Sequence, residues 1–231
     1  MTDIEWFRDL VRISGGREAH DPQPLVSWID EKRAETEFSA ELIPLNSVRS
    51  WKQDPDSGDI SHESGQFFGI TGVRTSARGL REVMSWDQPI YTQPEGGVLA
   101  MVCEQTDAGQ IRFLLQAKAE PGNLGMLQFA PSAQATWSNL RQAHQGRRPP
   151  LTEYLLEECP CRLVYAAKHN EEGGRFWRKS NSNRIILAEP GALNAEDLGG
   201  LFCWASLSQI RNLALLDNYL NPFVKTIIAP L

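Results

Sequence analysis

The sequence predicts an α+β protein with a mixed, largely antiparallel sheet flanked by helices, and three observations carry that expectation. Residues 110–120 alternate between two faces, which is the period of a strand. Residues 98–105 precede them across the short loop Thr106-Asp107-Ala108-Gly109, the arrangement of a hairpin. Near the other end, Ser206-Leu207-Ser208-Gln209 has the form of a capping box, opening a helix to Asp217 with Leu207, Ile210, Leu213 and Leu216 as its apolar stripe.

The remaining elements follow in order. Residues 6–13 and 25–36 read as two short helices separated by Gly15-Gly16, the second opened by Pro24 and carrying Leu25, Trp28 and Ile29 on one side. Residues 38–45 form a short extended piece that Pro44 ends, and residues 54–58 a loop. A strand is expected within 60–75, centred on 66–73, whose glycines mark a bulge or a close backbone approach; His62 sits at its entry. Residues 86–91 are extended, and Glu95-Gly96-Gly97 turns into the hairpin. Beyond Asn139 comes a basic, proline-bearing connector at 144–150 with His144, Arg147 and Arg148. A short helix at 151–158, strands at 162–167 and 184–188, and a closing strand at 223–228 complete the chain. No internal repeat or low-complexity segment interrupts it.

Composition bounds the function. A chain of 231 residues buries about 70% of its unfolded surface and suits one large domain or two small ones. The net charge of −6 argues against a nucleic-acid or acidic-membrane partner, so an anionic ligand needs a local basic pocket. The four cysteines include no CxxC pair, and Cys159-Pro160-Cys161 has the wrong spacing for a zinc knuckle; no metal is expected, and the thiols read as free in a reducing compartment. With an acidic N-terminus and no apolar run of membrane-spanning length, the expected location is the cytoplasm.

The candidate chemistry lies in two polar runs. In the central strand Ile111, Phe113, Leu115, Ala117 and Ala119 form a packing face, leaving Arg112, Leu114, Gln116, Lys118 and Glu120 on the other. That second face presents an amide, an ammonium and a carboxylate in a row, roughly 6–7 Å apart, before Pro121-Gly122-Asn123 ends the strand. Gln134, Thr136 and Ser138 repeat the period of two in a second run. A solvated sheet surface is the plain alternative, but two faces rich in amides and small hydroxyls suit a cleft lining better. A third feature interleaves Arg175, Arg178, Lys179 and Arg184 with Phe176, Trp177, Asn181 and Asn183. Guanidinium groups match phosphate oxygens and indole faces stack on bases; a solvated hairpin pairing with surplus acids explains the same residues equally well. A lone His62 or His144 reads as structural without further support.

With these residues laid out, the chain resembles the NDP-hexose 2,3-dehydratases of deoxysugar biosynthesis. The likeness runs from about Trp51 to Ile228 through Ile60-Ser61-His62, Trp86-Asp87-Gln88-Pro89, residues 116–123, residues 134–139, Glu171-Glu172-Gly173-Gly174-Arg175-Phe176 and residues 204–218. The resemblance implies a Nudix-like domain over residues 51–231, with residues 1–50 as a helical segment packing on or bridging its core. It does not imply Nudix hydrolysis, because Arg81-Glu82-Val83 is followed by Met84-Ser85-Trp86 rather than by metal-binding glutamates.

The implied reaction is loss of the C2 hydroxyl from a nucleotide-linked 4-keto-6-deoxyhexose, typically on dTDP, and it needs neither a redox cofactor nor a metal. The C4 ketone acidifies the C3 proton, a base removes it, and a general acid assists the departing hydroxide. On this resemblance Glu120 or His62 is the base, and Lys118 is the acid or the donor to the C4 oxygen. Gln116, Asn123, Gln134, Thr136, Ser138 and Asn139 position the sugar, Arg175, Lys179 and Arg184 hold the diphosphate, and Trp177 or Trp137 lies near the base. Gln88 and Asn181 join the substrate-binding set. A nucleotide-sugar-binding module without turnover is the rival reading. Family members carry two tandem copies of this unit and this chain one, so a symmetric homodimer would restore the pair.

Overall fold

The computed structural model describes residues 3–15, 19–93, 95–140, 148–156 and 158–231, without the side chains of Ser138 and Glu172. His144 and Arg147 fall outside these residues.

A continuous apolar run buried on both faces makes Gly97–Gln105 (β5) a strand, alternation makes Ile111–Ala119 (β6) another, and the tight loop pairs them antiparallel from Cys103↔Phe113 to Gln105↔Ile111. There they part. Into the fork run Leu127–Pro131 (β7), paired with β6, and Ala133–Thr136 (β8), paired with β5. Ser132 stands at the crotch, almost fully buried: its hydroxyl accepts the Val102 N–H at 2.8 Å and donates to the Leu114 carbonyl. One side chain therefore satisfies a backbone group on each arm, at a point where neither arm can satisfy the other.

Further strands extend both arms. Phe202–Ala205 (β11) adds to β6, Ser180–Ala188 (β10) runs parallel to β5, and Cys161–Asn170 (β9) closes the far edge antiparallel to β10. Both faces are covered. On one, Asp3–Ser14 (α1), Gln23–Glu35 (α2), Leu207–Leu213 (α5) and Pro222–Ile228 (α6) contribute Phe7, Ile29, Ile210 and Ile227 to a core with Phe113 and Phe129. Trp28 stacks on Phe129 with ring centroids 5.9 Å apart. On the other face, Trp137–Leu140 (α3) and Thr152–Leu155 (α4) bring Leu140, Tyr154 and Leu155 against Val98, Val102 and Leu114. The class is α+β with mixed, largely antiparallel sheets, as the sequence predicts.

A second sheet precedes the first: Trp51–Gln53 (β1), Ile60–His62 (β2), Gly69–Ser76 (β3) and Ser85–Thr92 (β4), hydrogen-bonded in that order. Its join to the larger sheet runs through Tyr91, whose N–H donates to Arg175 O at 2.9 Å and whose carbonyl accepts Trp177 N–H at 2.7 Å. The Tyr91 and Phe176 rings stack 5.2 Å apart. Between α2 and β1, Phe38, Leu42 and Ile43 stand exposed on a stretch without regular structure, and the exposed Leu45 opens a single 3-10 turn.

Four expected elements differ. The strand expected within 60–75 and centred on 66–73 divides into β2 and β3, which pair antiparallel across a turn at residues 63–68. The closing strand at 223–228 is instead helix α6: Pro222 opens it, Asn221 caps it by accepting Phe223 N–H at 2.9 Å, and Val224, Ile227 and Ile228 bury one face. Its β-branched residues mimic a strand, but the cap and the spacing of three and four decide. The capping box of Ser206 and Gln209 forms as expected, yet α5 stops at Leu213 and leaves Leu216 exposed. The period of two in the second polar run ends at Thr136, whose hydroxyl accepts Asn139 N–H at 3.3 Å and starts α3. No helix among the described residues is long and apolar enough to cross a membrane.

Candidate functional site

The fork creates the site. Where β6 ends, Lys118 and Glu120 share a strand face, and their charged groups meet at 3.3 Å (Nζ to Oε1). The turn that follows fixes them. Asn123 Nδ2 donates to the carbonyls of Lys118 and Met126 at 3.2 and 3.4 Å, and Arg33 donates to the Leu127 carbonyl at 3.1 and 2.9 Å. From β8, Gln134 Nε2 donates to Glu120 Oε1 at 3.3 Å; from the start of α6, Asn221 Nδ2 donates to Oε2 at 3.3 Å. Both carboxylate oxygens therefore have neutral donors besides the ammonium, which fixes the orientation of the group. Burial lowers the pKa of Lys118, against an opposing pull from Glu120, so its ammonium is a readier proton donor than a free lysine. Gln134 must turn its amide nitrogen to the carboxylate; its Oε1 is buried without a hydrogen-bond partner among the described residues.

A second ion pair stands on the other side of the β5–β8 ladder. Lys179 Nζ lies 3.0 Å from Glu171 Oε2 and donates to Gln93 Oε1 at 2.8 Å. Asn181, on β10, donates to Glu171 Oε2 through Nδ2 and accepts the Gly97 N–H at 2.9 Å. This pair is the more buried, with side chains 8% and 11% exposed against 24% and 29% for Lys118 and Glu120.

Both pairs line one hollow of about 290 Å³ together with Gly97, Leu99, Ala135 and Phe223. Thr136 and Asn139 complete its rim. Its size is at the small end for ligand sites. Glu171 and Lys179 also face a neighbouring cleft of about 340 Å³ with Gln88, Phe176 and Trp177. That cleft shares Trp86, Gln88, Ile90 and Gly174 with a larger one of about 840 Å³, where Arg175 and Arg81 face Tyr91 and Gly173. Gly173 adopts φ +65°, a conformation that favours glycine. Arg81 is paired with Glu82 and lies over the Trp86 ring, 5.5 Å from its centroid.

The structure thus gathers Lys118, Glu120, Gln134, Thr136, Asn139, Lys179 and Asn181 around one hollow, with Gln88, Trp177 and Arg175 along the adjoining clefts. Others lie elsewhere. His62 belongs to the small sheet, with Nδ1 2.8 Å from Ser64 Oγ and its ring edge-on to Trp51 and Phe67; it does not line the hollow. Gln116 sits in mid-sheet between Phe202 and Ala130, because β6 is flanked on both sides there. Arg184 projects from the opposite face of β10 and donates to the Leu155 carbonyl at 3.1 Å. Asn123 braces the turn rather than the hollow, and Trp137 does not line it. The side chain of Ser138 lies outside the described set. Sequence reasoning missed Glu171, Asn221 and Gln93. Glu171 was visible in the Glu-Glu-Gly-Gly-Arg-Phe run; the other two arrive through long-range contacts that carry no local signal. Among the described residues, no group of three or more His, Cys, Asp or Glu side chains is arranged to hold a metal ion.

Comparison with known proteins gives four findings. The family model described as NDP-hexose 2,3-dehydratase matches residues 22–231. The chain is 33% identical over 202 residues to a dTDP-4-dehydro-6-deoxy-alpha-D-glucopyranose 2,3-dehydratase of Saccharopolyspora spinosa, covering 87% of this chain and 40% of that one. It is 35% identical over 206 residues to the protein of the same name from Streptomyces violaceoruber, covering 89% and 45%. The chain therefore spans less than half the length of these relatives. Among solved structures, a Nudix hydrolase from M. Smegmatis, RenU, is similar over 59% of this chain and 81% of its own, with 17% identity and a TM-score of 0.34.

Proposed function

This chain belongs to the NDP-hexose 2,3-dehydratase family, and from that premise we propose that it removes the C2 hydroxyl of a dTDP-linked 4-keto-6-deoxyhexose to give a 3,4-diketo-2,6-dideoxy sugar. In this reading it is a carbon–oxygen lyase. The observation that carries it is the Lys118–Glu120 pair, ion-paired at 3.3 Å on the wall of a hollow of about 290 Å³. A carboxylate held by Gln134 and Asn221 is a positioned base for the C3 proton. The adjacent ammonium is a donor to the oxygen at C4, on which negative charge develops as that proton leaves.

The diphosphate falls to Arg175 in the larger cleft. Lys179 is ion-paired with Glu171 and Arg184 is tied to the far face, whereas Arg175 lines open space beside the Gly173-Gly174 turn. Trp177 borders the cleft between and offers a ring to the nucleoside base. The protein acts as a homodimer in the cytoplasm, in keeping with its four free cysteines. The exposed Phe38, Leu42, Ile43 and Leu45 supply apolar surface for the second copy, in a family whose compared members are about twice as long.

Incubation with dTDP-4-keto-6-deoxyglucose followed by mass spectrometry tests the reading. A product lighter by one water supports it. Tight binding with the sugar returned intact would overturn it in favour of a nucleotide-sugar-binding module.

A further inference from the structure

The hollow holds a second lysine–glutamate pair that the dehydratase reading leaves without a role. Taking two charges out of water is costly, and a buried ion pair is poor evidence of net stabilisation. Yet Glu171 and Lys179 are more secluded than the pair assigned to the chemistry, and three residues are spent on them. Asn181 reaches Glu171 from β10, Gln93 takes a second proton of Lys179, and the Phe176 ring covers the ammonium with its centroid 4.6 Å away. An ammonium has three protons to donate. Glu171 and Gln93 account for two, and Lys179 borders the hollow.

Position separates the two lysines. Lys118 approaches from β6, beside the carboxylate that Gln134 of β8 steadies. Lys179 approaches from the β9–β10 side, where Asn181 is anchored to Gly97 of β5. The paired strands β5 and β8 lie between them. The substrate has the same layout, for C3 is flanked by C4 with its carbonyl oxygen and by C2 with its departing hydroxyl.

Resting on the dehydratase reading, we propose that Lys179 is the general acid for the departing C2 hydroxyl, with Glu171 as the residue that positions it. Glu120 takes the C3 proton, and the electron pair of that bond moves onto the C4 oxygen beside Lys118. The pair then returns to form the C2–C3 double bond as the C2–O bond breaks, and the hydroxide leaves as water with a proton from Lys179. Glu120 is left protonated and Lys179 neutral; exchange with solvent resets both, and the released enol ketonises by gaining a proton at C2.

The test follows substrate and product by NMR in deuterated water for wild type, Lys179→Met, the double variant Glu171→Gln/Lys179→Met, which leaves no unpaired buried charge, and Glu120→Gln. Lys179→Met and the double variant are expected to exchange the C3 proton of recovered substrate while losing at least about 100-fold in water release. Glu120→Gln should lose both. Release of fluoride from the 2-fluoro analogue, which leaves without a proton, should fall by less than about tenfold in Lys179→Met, because only the acid step is missing. A merely structural lysine would depress water and fluoride release together. Water release within threefold of wild type, or equal loss from both substrates, overturns the assignment. A wild-type protein that releases neither water nor fluoride overturns the dehydratase reading itself, and this assignment with it.

Discussion

Replacing Ser132 by alanine tests whether the fork makes the site. The hydroxyl is buried, accepts Val102 N–H at 2.8 Å and donates to the Leu114 carbonyl. Alanine fits the space but leaves a buried donor on β5 and a buried acceptor on β6 unpaired. Each such group costs about 1–3 kcal/mol, and relief from desolvating the hydroxyl offsets part, so we expect a net loss of about 2–4 kcal/mol. In a chain of this size that is a drop in melting temperature of about 4–16 °C. Urea unfolding followed by tryptophan fluorescence gives the free energy, and calorimetry gives the shift. Turnover should fall as well, since the same residue sets the angle at which Lys118 on one arm faces Gln134 on the other. A loss below about 0.5 kcal/mol, the range of ordinary surface substitutions, would refute the reasoning.

Three further outcomes follow from the geometry. Burial places the Lys118 pKa below that of a free lysine, so a rate that needs its ammonium is full below that lowered value and falls as pH rises through it. Lys118→Arg, whose guanidinium does not titrate, should remove that alkaline fall from the pH profile of whatever activity it keeps. Arg175→Ala should weaken dTDP binding, measured by calorimetry, by about tenfold or more, the size of a lost charge-assisted hydrogen bond; unchanged affinity would move the diphosphate elsewhere. A Cβ on Gly97 would stand 2.9 Å from the Ala135 carbonyl oxygen and 3.4 Å from Asn181 Oδ1. Gly97→Ala should therefore destabilise by about 1–3 kcal/mol in chemical denaturation and impair turnover by displacing Asn181.

What the sequence made legible follows the reach of local rules. The buried side of β6 is read correctly from alternation, because Ile111, Phe113, Leu115 and Ala117 need only a partner layer to be covered. The other side is read too generously. Leu114 belongs to the second core and Gln116 is enclosed by β7 and β11, so only the tip at Lys118 and Glu120 reaches the hollow. Alternation states which residues share a face; it cannot state where that face is covered. Arg184 shows the same limit, one residue of parity separating it from Asn181 and Asn183 and turning it toward Leu155. The segment of helix α6 reads as a strand in sequence because its β-branched content outweighs the cap at Asn221. Asn221, Gln93 and Ser132 gain their roles from residues 101, 86 and up to 30 positions away in sequence, a separation no local pattern records.

In the proposed complex the hexose lies between the two lysine–glutamate pairs with its diphosphate in the Arg175 cleft. A crystal structure of the protein with dTDP-linked glucose, which lacks the C4 ketone and cannot react, tests it most directly. The expected complex has the sugar C3 facing Glu120, the C2 hydroxyl within hydrogen-bond reach of Lys179, and phosphate oxygens on Arg175. A hexose bound outside the hollow, out of reach of both lysines, would contradict it.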